Sequence, residues 1–90
     1  MRILWDEPKR QATIARRGVD FADLTLEFFE AATVTPARGG RFRAIGYATG
    51  MVIVVIFARL GSEAISVISM RRASRKERLT HETEDPTTDR

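Results

Sequence analysis

The amino-acid sequence predicts an α+β fold: two amino-terminal helices, an antiparallel sheet of three to four strands, and a carboxy-terminal helix. Three observations carry this expectation. Helix-capping residues frame two segments before residue 32. From Arg41 onward, apolar and polar residues alternate with a period of two through short segments punctuated by glycine. A capping box then stands at Ser74–Glu77. Ninety residues suit one small domain, placed at 1–82, with 83–90 as a polar, frayed tail.

Taken in order, Ile3-Leu4-Trp5 predicts a first strand or an extended arm, with Trp5 as a lid over the sheet. Asp6 is an N-cap, with Glu7 and Pro8 in the following turn. Negative charge suits the free N–H groups of a helix start, and proline has no donor to lose there. The helix runs to Arg17, where Arg16 and Arg17 meet the negative end and Gly18 is a left-handed terminator. Ala12, Ile14 and Ala15 give it a thin buried face, which leaves Lys9, Arg10, Arg16 and Arg17 solvated. Asp20 caps a second helix over Phe21–Ala31. Its core stripe is Phe21, Leu24, Phe28 and Phe29, at i, i+3, i+7 and i+8.

Thr33-Val34-Thr35 predicts a brief strand that Pro36 ends, and Pro36–Gly40 is a loop. Arg41, Arg43 and Ile45 alternate with Phe42, Ala44 and Gly46 in a half-exposed strand. After a turn at Ala48-Thr49-Gly50, the β-branched run Val52–Ala58 predicts a central buried strand. It is far shorter than the ~20 apolar residues that span a bilayer. Arg59–Ser62 is the next turn. In the last strand Ile65, Val67 and Ser69 alternate with Ala64, Ser66, Ile68 and Met70. Short connections favour an antiparallel meander. The closing helix starts at Ser74 and runs to His81 or Glu82.

Composition removes much enzymology. No cysteine is present, which excludes a disulfide scaffold, a thiolate metal site and a Cys nucleophile. One histidine, His81, excludes sites built from several imidazoles. Asp6, Asp20 and Asp23 lack convergent metal spacing, and no glycine-rich nucleotide loop occurs, so neither metal nor cofactor is expected. No apolar stretch at the amino terminus is long enough for a signal peptide, so the expected location is cytoplasmic.

The formal net charge of +3 hides a segregation. Residues 31–70 carry Arg38, Arg41, Arg43 and Arg59 against Glu63 alone. Residues 71–78 carry Arg71, Arg72, Arg75, Lys76 and Arg78 against Glu77 alone. Thirteen arginines face two lysines. Guanidinium forks match phosphate oxygens in pairs and stack on bases, which points to a nucleic-acid backbone. RNA is favoured, because no helix-turn-helix or zinc module is visible. Arg43, Arg59, Ser74, Arg75 and Lys76 are the candidate RNA-binding residues; a bland alternative is an arginine-rich surface serving solubility.

Such a face can also cut RNA. Attack of a 2′-hydroxyl on its own phosphate needs that hydroxyl deprotonated, the phosphorane charge stabilised and the leaving oxygen protonated. Arg41, Arg71 and Arg72 are candidates for holding the phosphate, and Glu63 or Lys9 for moving protons. Each has a structural alternative: Glu63 as a strand-end charge, Lys9 as a solvated helix residue. Tyr47 and His81 are weaker proton-transfer candidates, one an edge-strand aromatic and the other set in an acidic tail.

Four segments in order carry a family resemblance: Trp5-Asp6-Glu7-Pro8-Lys9; Gly18-Val19-Asp20-Phe21; Arg41 with Ala44-Ile45-Gly46; and Val67–Ser74 with Glu77-Arg78. Together, over residues 3–79, they resemble the BrnT toxins of bacterial type II toxin–antitoxin systems. That resemblance implies a RelE-like fold and a ribonuclease that arrests growth by cutting RNA. It also implies a BrnA-like antitoxin with a ribbon-helix-helix domain, joined in a 2:2 heterotetramer that binds operator DNA through the antitoxin and represses the operon. By matching position it points to Lys9, Arg41, Arg71, Arg72 and Ser74. The chain departs from the family pattern at Thr13, Arg16-Arg17 and Ser66, where members carry Asn, Lys-His and Arg. A non-catalytic module that binds RNA or antitoxin is the alternative function; a DNA-binding regulator in its own right is the third.

Overall fold

Local signals set the first helix. The Asp6 carboxylate accepts the Lys9 amide at 3.1 Å, Pro8 sits in the first turn, and Gly18 at φ 68 returns its N–H to the Ile14 carbonyl. In the computed structural model, which describes residues 1–84, α1 therefore spans Glu7–Arg17. None of its residues is buried: Thr13 and Ile14 are half-buried, whereas Ala12 and Ala15 are exposed. Arg10 departs from the expected solvation, for its guanidinium grips Asp20 at 2.7 and 3.0 Å and Glu7 at 2.8 Å.

The second helix is not continuous. Asp20 closes a single 3-10 turn over Phe21–Asp23 by accepting the Ala22 amide, and Leu24 is extended. Thr25 then caps α2, Leu26–Ala31, by accepting the Phe28 amide. Two capping side chains five residues apart compete, and each starts its own short turn. The expected stripe nevertheless points inward: Phe21, Leu24 and Phe28 are buried and Phe29 packs against them.

Five strands follow the order β1-β5-β4-β3-β2, with β1 Arg2–Leu4, β2 Thr33–Pro36, β3 Phe42–Ala48, β4 Met51–Leu60 and β5 Ala64–Arg72. The sheet is mixed, with more strands than the expected three to four. β2 through β5 form the antiparallel meander, but β1 joins the far edge parallel to β5, pairing Arg2–Leu4 with Ala64–Ser66. Parallel pairing needs the long crossover that the helices supply, so a short apolar segment at the amino terminus could not reveal it. The helix α3 spans Arg75–Glu84, two residues into the stretch assigned to the tail; the rest of that expectation, 85–90, lies outside the described residues. Among the described residues no helix is long and apolar enough to cross a membrane.

The sheet buries both faces unequally. One face, with Ala44, Ile53, Val55, Phe57, Val67 and Met70, packs on Val19, Phe21, Leu24 and Phe28. Trp5 packs at its margin, while its indole N–H donates to Glu7 at 3.0 Å. The second face buries Ile45, Val52 and Val54 with Ala73 in a smaller cluster. Simple alternation in β5 fails at a bulge, because Ile56 pairs with Ser69 and Phe57 with Val67, leaving Ile68 unopposed. The bulge reverses the phase, so Met70 joins the core and Arg71 emerges on the second face.

Candidate functional site

β1 covers only the first part of the β5 edge, and α1 stands beside the rest. Its last residue, Arg17, donates from Nη1 to the Met70 carbonyl at 3.2 Å, pinning the helix to that edge. Between α1 and the second sheet face lies a groove of about 540 Å³. Lys9, Thr13, Arg16 and Arg17 form one wall, Ile56, Ile68 and Ser69 the floor, and Arg41 the opposite wall. The lining thus holds four cationic side chains and no carboxylate. Arg41 arrives there through a 3-10 turn at Arg38–Gly40, and its backbone pairs with Ala37 and Arg38.

Beside the groove, one carboxylate organises two arginines. The register places Arg43 opposite Ile56, Ile56 opposite Ser69, and Arg71 opposite Val54, so Arg43 and Arg71 share the second face. Glu77 from α3 takes both nitrogens of Arg71 at 2.7 and 2.8 Å and Arg43 at 2.9 Å. It also completes the predicted capping box: the Ser74 amide donates to Glu77 at 2.8 Å, and the Glu77 amide to the Ser74 hydroxyl at 3.1 Å. Arg71, the Ser74 amide and Arg43 together hold the Glu77 carboxyl far below the usual carboxylate range. The same contact raises the Arg71 guanidinium pKa further.

The residues singled out from sequence separate into groups. Lys9 and Arg41 meet in the groove. Arg71 lies on the same face but is engaged by Glu77, and Arg72 turns the other way: it pairs with core-facing Ile53 and approaches Gly18. The side chains of the Arg71–Arg72 pair therefore leave the sheet on opposite faces, as successive strand residues do. Glu63 sits in the β4–β5 turn, outside the groove lining, and its carbonyl accepts the Arg2 amide at 2.8 Å. Arg59 lies over the Phe42 ring, 5.1 Å from its centroid, beside an apolar cavity lined by Leu26 and Phe29. Ser74 is occupied as a cap, and Arg75 and Lys76 are exposed on the first turn of α3.

Sequence reasoning passed over Arg16, Arg17, Thr13 and Ser69. A signal existed for two of them, since Thr13 and Arg16 lie at i+4 and i+7 from Lys9 on one stripe of α1. It was masked by treating the charged side of a thin helix as merely solvated. His81 is not in an exposed tail: it is 7% exposed, with its ring 5.5 Å from that of Tyr47.

Comparison with known proteins agrees with this architecture. The family described as the ribonuclease toxin BrnT of type II toxin–antitoxin systems matches residues 5–77. The 1.1 Å crystal structure of the Brucella abortus ribonuclease toxin BrnT is 58% identical and superposes with a TM-score of 0.78, covering 83% of this chain and 99% of that one. Among curated proteins no relative matches. The matched span takes in Lys9, Arg41 and the β5 bulge, which build the groove, and Glu77 beside it, and the chain accordingly belongs to the BrnT family of ribonuclease toxins of type II toxin–antitoxin systems.

Proposed function

We propose that this toxin cleaves RNA in the groove between α1 and the second sheet face, by attack of a 2′-hydroxyl on the adjacent phosphate and without a metal ion. The observation that carries the proposal is the lining itself, with Lys9, Arg16, Arg17 and Arg41 around one concavity that has no carboxylate. A divalent cation wants oxygen ligands, whereas a phosphorane wants a cationic cage, and these donors fit the second. The 2′-oxygen bonds to phosphorus as the bond to the 5′-oxygen breaks, leaving a cyclic phosphate and a free 5′-hydroxyl. Arg41, Arg16 and Arg17 meet the growing negative charge with paired N–H donors. Lys9 hands a proton to the departing 5′-oxygen, and the 2′-hydroxyl proton passes to water. Arg43 and Arg71, partly neutralised by Glu77, extend the basic face for flanking phosphates.

A ribonuclease toxin of a type II system has an antitoxin partner and an RNA substrate. A cationic groove fits an acidic antitoxin segment that covers it, which is the mode of neutralisation proposed here. Family resemblance supports a ribbon-helix-helix antitoxin, a 2:2 assembly that represses its operon, a RelE-like classification and action in the cytoplasm.

Purified protein should cut single-stranded RNA in EDTA, and Arg41→Ala should slow cleavage by about a hundredfold, the usual effect of removing one transition-state donor. Cleavage that requires added metal, or that survives Lys9→Ala together with Arg41→Ala, refutes the mechanism. The lining offers no imidazole or carboxylate as a strong base, and this favours one second reading, a non-catalytic RNA- or antitoxin-binding module. Its signature is RNA binding through Arg41 with no cleavage.

A further inference from the structure

We propose that the cleft between β2, β3 and α3 is a base-reading subsite, in which the toxin holds one unpaired RNA base next to the cleavage groove. The proposal rests on the cleavage reading above and adds to it where sequence preference is set. The cleft has a volume of about 230 Å³. That is below the ~300 Å³ at which drug-sized pockets begin and suits a single base.

Its walls are chemically suited to a base edge. Thr33 and Thr35 come from the sheet-edge strand β2 and Thr80 from α3, bringing three hydroxyls that can each donate and accept. His81 also lines the cleft, is more than nine-tenths buried, and has an Nδ1 with no hydrogen-bond partner among the described residues. That nitrogen is itself sealed from solvent, so the three hydroxyls and Arg43, rather than the imidazole, are the groups a base in the cleft can reach. Arg43 contributes a planar guanidinium on which a base can stack.

Position favours RNA as the occupant. Arg43 pairs with Ile56 and Ile56 with Ser69, and those two partners floor the cleavage groove. Arg43 therefore stands between the two concavities, two residues from Arg41. A strand whose phosphate rests on Arg41 can lay the neighbouring base across Arg43. The cleft's cations are Arg43 and Lys76, and the Glu77 carboxylate that also lines it already engages Arg43 at 2.9 Å, so its net charge is small and a neutral base suits it better than a second phosphate.

The test uses the full chain and four short 2′-O-methyl oligonucleotides, of A, C, G or U, which bind but cannot supply the attacking hydroxyl. Wild-type protein should prefer one base by about three- to tenfold, the worth of one or two hydrogen bonds. Thr35→Val with Thr80→Val, checked by thermal melting, should compress that preference to within about twofold. If this pair fails to fold, Thr33→Val at the exposed edge serves in its place. Equal binding of all four oligonucleotides by wild type, or an unchanged preference in the variants, overturns the subsite. Variants that lose antitoxin affinity yet keep base preference assign the cleft to the protein partner and also overturn it. The cleavage reading fails on a different readout, namely RNA cutting that persists in Lys9→Ala with Arg41→Ala.

Discussion

Replacing Glu77 with glutamine tests the organisation of the basic face most directly. The carboxylate accepts four hydrogen bonds, two from Arg71, one from Arg43 and one from the Ser74 amide. Glutamine can keep the cap bond through its carbonyl, but it loses the charge and turns an N–H toward guanidinium donors. The side chains are 23% exposed for Glu77, 33% for Arg43 and 43% for Arg71, so solvent screens both ion pairs. Two screened pairs at roughly 0.5 kcal/mol each, plus about 1 kcal/mol for the mismatched donors, give a loss of about 2 kcal/mol. For a domain of this size that lowers Tm by about 10 °C. The pH dependence has a defined sign. Folding depresses the Glu77 pKa from 4.5, so its contribution is complete above that value and is lost as pH falls below it toward the folded value. Thermal melts of wild type and Glu77→Gln should therefore differ fully at about pH 7, and the gap should narrow progressively as pH falls below about 4.5. A gap under about 2 °C at neutral pH, or one that widens on acidification, refutes this account of α3 docking.

Arg71→Ala should lower both cleavage and Tm, because it removes a basic side chain and leaves Glu77 with fewer partners; rates and melts measured on one preparation check it, and an unchanged Tm contradicts the docking role. Gly46 lies where an added Cβ would meet the Ala32 Cβ at 3.2 Å and Phe28 Cε1 at 3.3 Å, so Gly46→Val should cost about 1–3 kcal/mol or more in urea unfolding. Phe21→Ala, at a fully buried site, should cost about 3–5 kcal/mol, measured the same way. Binding of 2′-O-methyl RNA should weaken with salt, and Arg41→Ala should reduce the slope of log K against log salt by about 0.7, the value for one single-strand phosphate contact.

What was legible in the sequence was local. Asp6, Gly18, Ser74 and Glu77 each carry a signal that depends on neighbours within four residues, and their caps form as expected. The Phe21, Leu24 and Phe28 stripe is likewise buried, although Thr25 divides the helix carrying it. What was not legible depended on distance or on a local flaw in pairing. Nothing in Ile3-Leu4 specifies a parallel partner more than sixty residues away. The bulge at Ile68 shifts every later residue of β5 to the opposite face, so strict alternation misplaces Met70. The site was half legible for the same reason. Lys9 and Arg41 line one groove, whereas Arg71 and Arg72 are adjacent in sequence and divided by the pleat.

The single acid of residues 71–78 explains where the excess positive charge goes. Had Glu77 been solvated, Arg43 and Arg71 would add their repulsion to that of the groove. Instead it gathers both on the rim, and unpaired positive charge concentrates on Lys9, Arg16, Arg17 and Arg41. None of those four has a salt bridge to a carboxylate among the described residues. Like charges held together oppose folding, and Arg17 is restrained by a carbonyl rather than an acid. An anion that enters relieves this repulsion, so binding and stability are linked. The same unpaired cluster proposed to steady a phosphorane is thus also suited to the acidic antitoxin segment proposed to cover it.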